Sequence, residues 1–260
     1  MTRTIRLALA ALALALPVPA QGAAASPGAA AQLDQLIQQQ DRLPIDAERD
    51  KRDRPADVMA LAGVGPGMRV LDLYSGGGYW SELFSRAVGP RGVTFAHNNA
   101  AYLGFSKDEL AQRDIALRLP GVRRLMAENN RLFLAPDSLD VVWFSLGYHD
   151  IALDQPQDGW PRIDGDQLRR TLFTALKPGG RLVIIDHRAP AGMDPDESGA
   201  KLHRIDPAAV IGQLTAAGFT LQTTSDLLVN TDDPHTETAF APTIRGKTDR
   251  FILVFVKPKG

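Results

Sequence analysis

Val70-Leu71-Asp72-Leu73-Tyr74-Ser75-Gly76-Gly77-Gly78-Tyr79-Trp80 is the stretch that decides how this chain is read. An apolar run ends on an acid, passes through three glycines and enters an amphipathic segment, which predicts strand, tight turn and helix. Glycines suit such a turn because they adopt positive φ and let a ligand approach the backbone without meeting a Cβ. In an open parallel sheet, ligands bind outside the carboxyl ends of strands, where this loop lies. Taken alone, the pattern also fits a plain strand-to-helix connection.

Outward from that loop the chain alternates short apolar runs with helical patterns. Strands are predicted at 69–73, 93–96, 122–126, 141–146, 181–186, 220–227 and 251–256, with helices at 79–88, 107–118, 167–176 and 207–217. Gly89-Pro90, Pro178-Gly179-Gly180 and Gly218 read as helix stops, and Asp166 and Asp206 as N-caps. Such alternation predicts an α/β fold: a Rossmann-like, doubly wound, mostly parallel seven-stranded sheet covered on both faces. The last two strands lack a long helix between them, so the final strand is expected to run antiparallel and close one edge.

Four pieces in order then resemble the class I S-adenosylmethionine-dependent methyltransferases. Leu71 to Gly78 is similar to that family's first motif, with Gly76 and Gly78 on its second and third glycines and Tyr74 on the first. The end of the second strand falls on Asn98, where the family carries an acid for the ribose hydroxyls. Ala127-Glu128-Asn129, followed by Leu132 to Asp140, resembles the run whose acid meets the adenine amine. Leu176-Lys177-Pro178-Gly179-Gly180 matches the turn before the fifth strand. The resemblance implies S-adenosylmethionine as cofactor, with Asp72, Tyr74, Gly76, Gly78, Asn98, Glu128 and Asn129 around it. An amide at 98 offers the ribose a neutral partner rather than a charged one. More narrowly, Arg52-Asp53-Arg54-Pro55, Tyr148-His149-Asp150, His203 to Asp206 and Arg245 to Asp249 resemble a group of exported methyltransferases of unsettled activity.

The N-terminus supports export independently. Arg3 and Arg6 precede an apolar run from Leu7 to Leu16, then Pro17 and small residues, the layout of a secretory signal peptide. Cleavage is expected after Ala20 or a few residues later, giving a periplasmic or secreted product with no stable membrane span; an uncleaved anchor is the alternative. Residues 21–54 read as an Ala/Gly-rich linker, a short helix carrying Leu33, Leu36 and Ile37, and a charged stretch from Asp46 to Arg54. That stretch is either a solvated face or a lid over a pocket. Residues 55–260 form the methyltransferase-like domain. Among 260 residues there is no cysteine, which excludes disulfides and thiolate chemistry, and the formal net charge of −1 implies no broad cationic face for nucleic acid.

Methyl transfer depends mainly on in-line positioning, and needs a base only when the acceptor must lose a proton. The end of the fourth strand offers Tyr148-His149-Asp150: His149 or Tyr148 is expected to bind or deprotonate a small-molecule acceptor, with Asp150 orienting its neighbour. Asp186-His187, joined with His149 and Asp150, makes a metal set conceivable, but no local ligand motif accompanies it and no metal is assigned. His203 and Arg204 read either as a pocket rim or as a surface pair, and His97 and His235 as loop histidines. The leading reading is thus an exported small-molecule methyltransferase. The alternative is a methyltransferase fold repurposed as a periplasmic binding protein, and a metal-assisted hydrolase ranks last.

Overall fold

The computed structural model describes residues 27–39 and 41–260, and the signal-peptide segment lies outside them. Nine helices are described: α1 (Pro27–Ile37), α2 (Asp46–Asp53), α3 (Pro55–Ala62), α4 (Tyr79–Val88), α5 (Ala100–Arg113), α6 (Ile115–Arg118), α7 (Gly165–Ala175), α8 (Pro195–Leu202) and α9 (Pro207–Ala216). Seven strands, β1 (Arg69–Leu73), β2 (Val93–Asn98), β3 (Val122–Met126), β4 (Leu139–Ser145), β5 (Leu176–His187), β6 (Thr220–Ser225) and β7 (Arg250–Val256), form one sheet in the order β3-β2-β1-β4-β5-β7-β6. From β3 to β5 every neighbour is parallel, and β7 runs antiparallel to both β5 and β6. The predicted fold is the observed one.

The two-residue period of the strands divides the core. Leu71 and Leu73, Val142 and Phe144, Leu182 and Ile184 face one side with Leu168 and Leu172 of α7 and Val210 and Leu214 of α9. Val70, Val141, Trp143, Val183 and Ile185 face the other, beneath Leu33 and Ile37 of α1, Val58 and Met59 of α3 and Leu83 and Phe84 of α4. Asp72 shares the phase of Val70, so its carboxylate points toward α4.

Several boundaries depart from expectation. Helix α1 begins at Pro27, inside the predicted linker, because Leu33 and Ile37 bury against α3 and α4 and anchor it. Pro55 does not simply end the charged stretch; it opens α3 at the first helical position, where its missing N–H costs nothing. The predicted 107–118 helix is two helices: Asn99 caps α5 by accepting from Tyr102 N, and Asp114, at φ 42°, breaks the run before α6. The cap of α7 is Asp164, whose side chain accepts from Gln167 N, rather than Asp166; Asp206 caps α9 as expected. Pro178-Gly179-Gly180 lies within β5, where Gly179 N bonds Lys257 O, rather than beyond a helix end. Among the described residues no helix is long and apolar enough to cross a membrane.

Candidate functional site

The glycine loop leaves β1 with Tyr74 at φ 57° and Gly76 at φ 54°. A Cβ on Gly76 would meet nothing within 4 Å, whereas one on Gly77 would lie 2.0 Å from the Glu109 carboxyl carbon. The loop is therefore open on one side and closed by α5 on the other. Asp72 is buried and accepts a 2.6 Å hydrogen bond from Ser81 Oγ of α4. Burial pushes its pKa up to about 7, against the opposing pull of the Ser81 hydrogen bond and of Arg49 and Arg113.

Asn98 does not stand free at the ribose position. Its Oδ1 accepts from Gly76 N at 2.9 Å and its Nδ2 donates to Gly76 O at 3.0 Å, so the amide braces the loop. A carboxylate could not make the second bond, which is a physical reason for asparagine here. Glu128 accepts from Ala100 N at 3.1 Å, at the start of α5. Asn129 accepts from Tyr74 Oη at 2.8 Å, and its Nδ2 is buried without a hydrogen-bond partner, as is Ser75 Oγ. His97 is no loop histidine: it is buried in β2, bonds the Ala127 carbonyl at 2.9 Å and is pushed by burial down to about 4.

Tyr74 stacks on Tyr102 of α5, with ring centroids 4.2 Å apart, and Tyr102 Oη donates to Asp150 Oδ2 at 2.7 Å. This aromatic pair joins the glycine loop to the second cluster, which sits at the ends of β4 and β5. There His149 Nδ1 lies 2.7 Å from Asp186 Oδ1 and its Nε2 lies 3.2 Å from Asp150 Oδ1. Burial disfavours its charge, but Asp150 and Asp186 outweigh burial and hold the imidazolium up to about 10. Both of its ring nitrogens thus face carboxylate oxygens. Tyr148 does not join the cluster. Its Oη donates to Gln213 Oε1 at 2.9 Å among α7 and α9.

His187 is differently placed. Its Nδ1 contacts Thr248 Oγ1 at 2.6 Å, and burial, with repulsion from His149, Arg250 and Arg204, holds its pKa well below the usual histidine value. It lines a cavity of about 160 Å³ with Leu146, Phe240, Arg52 and Arg245. His203, read as rim or surface, comes within 3.6 Å of Asp150 Oδ1, while Arg204 is fully buried and bidentate to Asp233 at 2.8 and 3.1 Å.

The charged stretch 46–54 is anchored through its acids, while Glu48, Lys51, Arg52 and Arg54 stay exposed. Asp46 accepts two bonds from Arg113 at 2.9 and 3.0 Å, Asp50 accepts from Tyr79 Oη at 2.7 Å, and Asp53 pairs with Arg250 at 2.7 Å. Arg49 lies over the Tyr79 ring, 4.0 Å from its centroid. Burial works against the charge of Asp53, yet Arg49, Arg250 and Arg52 hold its carboxyl well below the ordinary range. Helix α2 is thus strapped to the helix that follows the glycine loop. Sequence reading missed Arg113, which donates to Gly77 O, Asp46, Glu82 and Glu109 together, and Tyr102. Asn99 as a helix cap was the signal available for Tyr102.

Residues 47–198 match the model of the ubiE/COQ5 methyltransferase family. The chain belongs to that family. Among curated relatives, the ubiquinone/menaquinone biosynthesis C-methyltransferase UbiE of Idiomarina loihiensis is 32% identical over 130 residues, covering 50% of this chain and 46% of that protein. The enzyme of the same name from Vibrio campbellii is 33% identical over 135 residues, covering 52% and 46%. The chain spans about half the length of these relatives. A solved SAM-dependent methyltransferase from Aquifex aeolicus shares the fold, with TM-score 0.56 and 19% identity over 88% of this chain and 98% of that one. The family segment takes in α2, the glycine loop and the His149 cluster. It ends before His203, Arg245 and the cavity wall around Phe240.

Proposed function

We propose that this ubiE/COQ5-family chain transfers a methyl group from S-adenosylmethionine to a small acceptor carrying an acidic hydroxyl on a single ring, and does so after export. The observation that carries the reading is the open, braced glycine loop with two buried polar atoms, Ser75 Oγ and Asn129 Nδ2, lacking partners beside it. The residues present fit the cofactor. Asp72 sets the loop, Gly76 gives unobstructed backbone, and Glu128 and Asn98 each keep spare hydrogen-bonding capacity beyond the bonds they make. When bound, the cofactor supplies an electrophilic methyl group.

The chain's own contribution is to hold the acceptor so that its hydroxyl oxygen, losing its proton, can take the methyl group as S-adenosylhomocysteine leaves. A cavity near 160 Å³ is of the size that accepts a benzene-like ring. Phe240 and Leu146 give it an apolar wall, and Arg245 and Arg52 favour an anionic group. His187 lines this cavity and, held neutral by burial, is the group available to accept a hydrogen bond from the hydroxyl. The relatives are named for ubiquinone/menaquinone biosynthesis and C-methyl transfer, which supports a ring acceptor and transfer rather than a purely binding role. Export is supported by Arg3, Arg6 and the Leu7–Leu16 run.

A screen of phenols and hydroquinones for release of S-adenosylhomocysteine tests the transfer. His187→Asn should lower turnover by about 10²-fold or more with the acceptor KM little changed. No turnover with any phenol, or full turnover in the variant, contradicts the assignment. Osmotic-shock fractionation tests export: the chain is expected in the periplasmic fraction, shortened near Ala20, and retention in the cytoplasm at full length contradicts it.

A further inference from the structure

Three side chains outside the proposed transfer step converge as metal ligands do. His149 Nε2 lies 3.2 Å from Asp150 Oδ1, and His203 Nδ1 lies 3.6 Å from that same oxygen. One ligand atom from each of the three residues falls within 4.8 Å of the others. Zinc bonds to nitrogen and oxygen are about 2.0–2.1 Å, so the edge of a tetrahedron of ligands around the ion measures about 3.3–3.4 Å. The two measured separations bracket that edge.

The surroundings complete the pattern. Asp186 sits on the far ring nitrogen of His149 at 2.7 Å, and also accepts from the backbone N–H groups of His149 and His187 at 3.0 and 2.7 Å. A carboxylate behind a ligating imidazole fixes its orientation and raises its basicity. Tyr102 Oη holds the second oxygen of Asp150 at 2.7 Å, leaving Oδ1 for the ion. His203 Nδ1 is buried and makes no hydrogen bond, although its residue is the αL cap of α8 at φ 51° and its ring packs on Phe240 at 4.7 Å. That nitrogen faces Asp150 Oδ1 at ion-pair distance but beyond a good hydrogen bond.

We infer that His149, Asp150 and His203 form a binding site for a divalent transition-metal ion of the zinc class, oriented by Asp186 and Tyr102, the ion replacing the proton on His149 Nε2, which is released to solvent. Two imidazoles and one carboxylate leave a fourth position open, as in zinc sites that hold water or a substrate oxygen. Phe240, which touches His203, and His187, whose ring is 5.9 Å from that of His149, both line the cavity, so the open position adjoins the proposed acceptor pocket. The site does not depend on methyl transfer and is tested without cofactor or acceptor.

The purified chain is stripped with chelator and titrated with Co2+, read by visible absorption, and with Zn2+, read by equilibrium dialysis. One equivalent is expected to bind, with cobalt bands of a four- or five-coordinate site. His203→Asn, chosen because asparagine tolerates the αL backbone, should weaken binding at least about tenfold with an unchanged thermal melt. Asp186→Asn should weaken it about 10–100-fold. Sub-stoichiometric binding at saturating metal, or His203→Asn and Asp150→Asn binding like the parent while folded by circular dichroism, would overturn the assignment.

Discussion

Two buried basic side chains, Arg113 beside the loop after β1 and His149 at the ends of β4 and β5, are treated differently by the chain. Arg113 has each N–H engaged: one with the Gly77 carbonyl, two with Asp46, one with Glu82 and one with Glu109. His149 is likewise held between acids, yet beside it lies a histidine nitrogen with no hydrogen bond and an aspartate oxygen shared by two imidazoles. A charge satisfied completely by its own chain has nothing left to offer a ligand, so its role is to hold the loop, α2, α4 and α5 together. A cluster that leaves a buried ring nitrogen without a hydrogen bond keeps capacity for something from outside.

That contrast breaks first at Arg113. Arg113→Met leaves Asp46 and Glu82 buried without their partner, and the expected loss is about 3–5 kcal/mol in urea unfolding. A loss below about 1 kcal/mol would show that the hub is not structural. Asp72 supplies the next largest effect. Its folded pKa, about 7, lies above the unfolded value near 3.9, so the folded state holds an extra proton between them. The stabilisation is fully present below about pH 4 and is lost as pH rises through 7, by about 1.4 kcal/mol per pH unit. Asp72→Asn removes that slope, and unfolding curves of both proteins at pH 5, 6 and 7 check it: parallel behaviour would contradict the burial argument.

Asn98→Asp separates brace from ribose ligand. If the amide braces Gly76, the acid loses the bond to Gly76 O and sets a carboxylate against a carbonyl, at a cost of about 1–3 kcal/mol. Improved stability together with tighter cofactor binding would instead favour a simple ribose role. The smallest effect belongs to the other cluster. His203→Asn should change stability by about 0.5 kcal/mol or less, and a larger loss would mean that this histidine serves packing.

The legibility of these two regions in the sequence follows the same divide. Strands β1 and β3 and helix α4 are readable to the residue because an apolar period and a glycine or proline boundary coincide there. Asp72, Gly76 and Gly78 are readable as a strand end and loop because they are local in the chain. What escaped is long-range. Nothing near Arg113 announces that Asp46, 67 residues away, will meet it, and nothing near Asp150 announces His203. Tyr148 and His149, adjacent in sequence, diverge because residue 148 packs into the core beneath α9 while 149 turns toward Asp186. The charge run 46–54 read as a solvated face or a lid because the partners of its acids, Tyr79, Arg113 and Arg250, come from three separate elements.

The central claim is that the glycine loop, braced by Asn98 and strapped by α2, holds S-adenosylmethionine. Calorimetric titration of the purified chain with S-adenosylmethionine and S-adenosylhomocysteine tests it directly. One site with micromolar affinity, about −8 kcal/mol, is the predicted result, and it should weaken at least about tenfold in Glu128→Ala. Absence of heat and of any thermal shift at millimolar concentration of either ligand would contradict the claim.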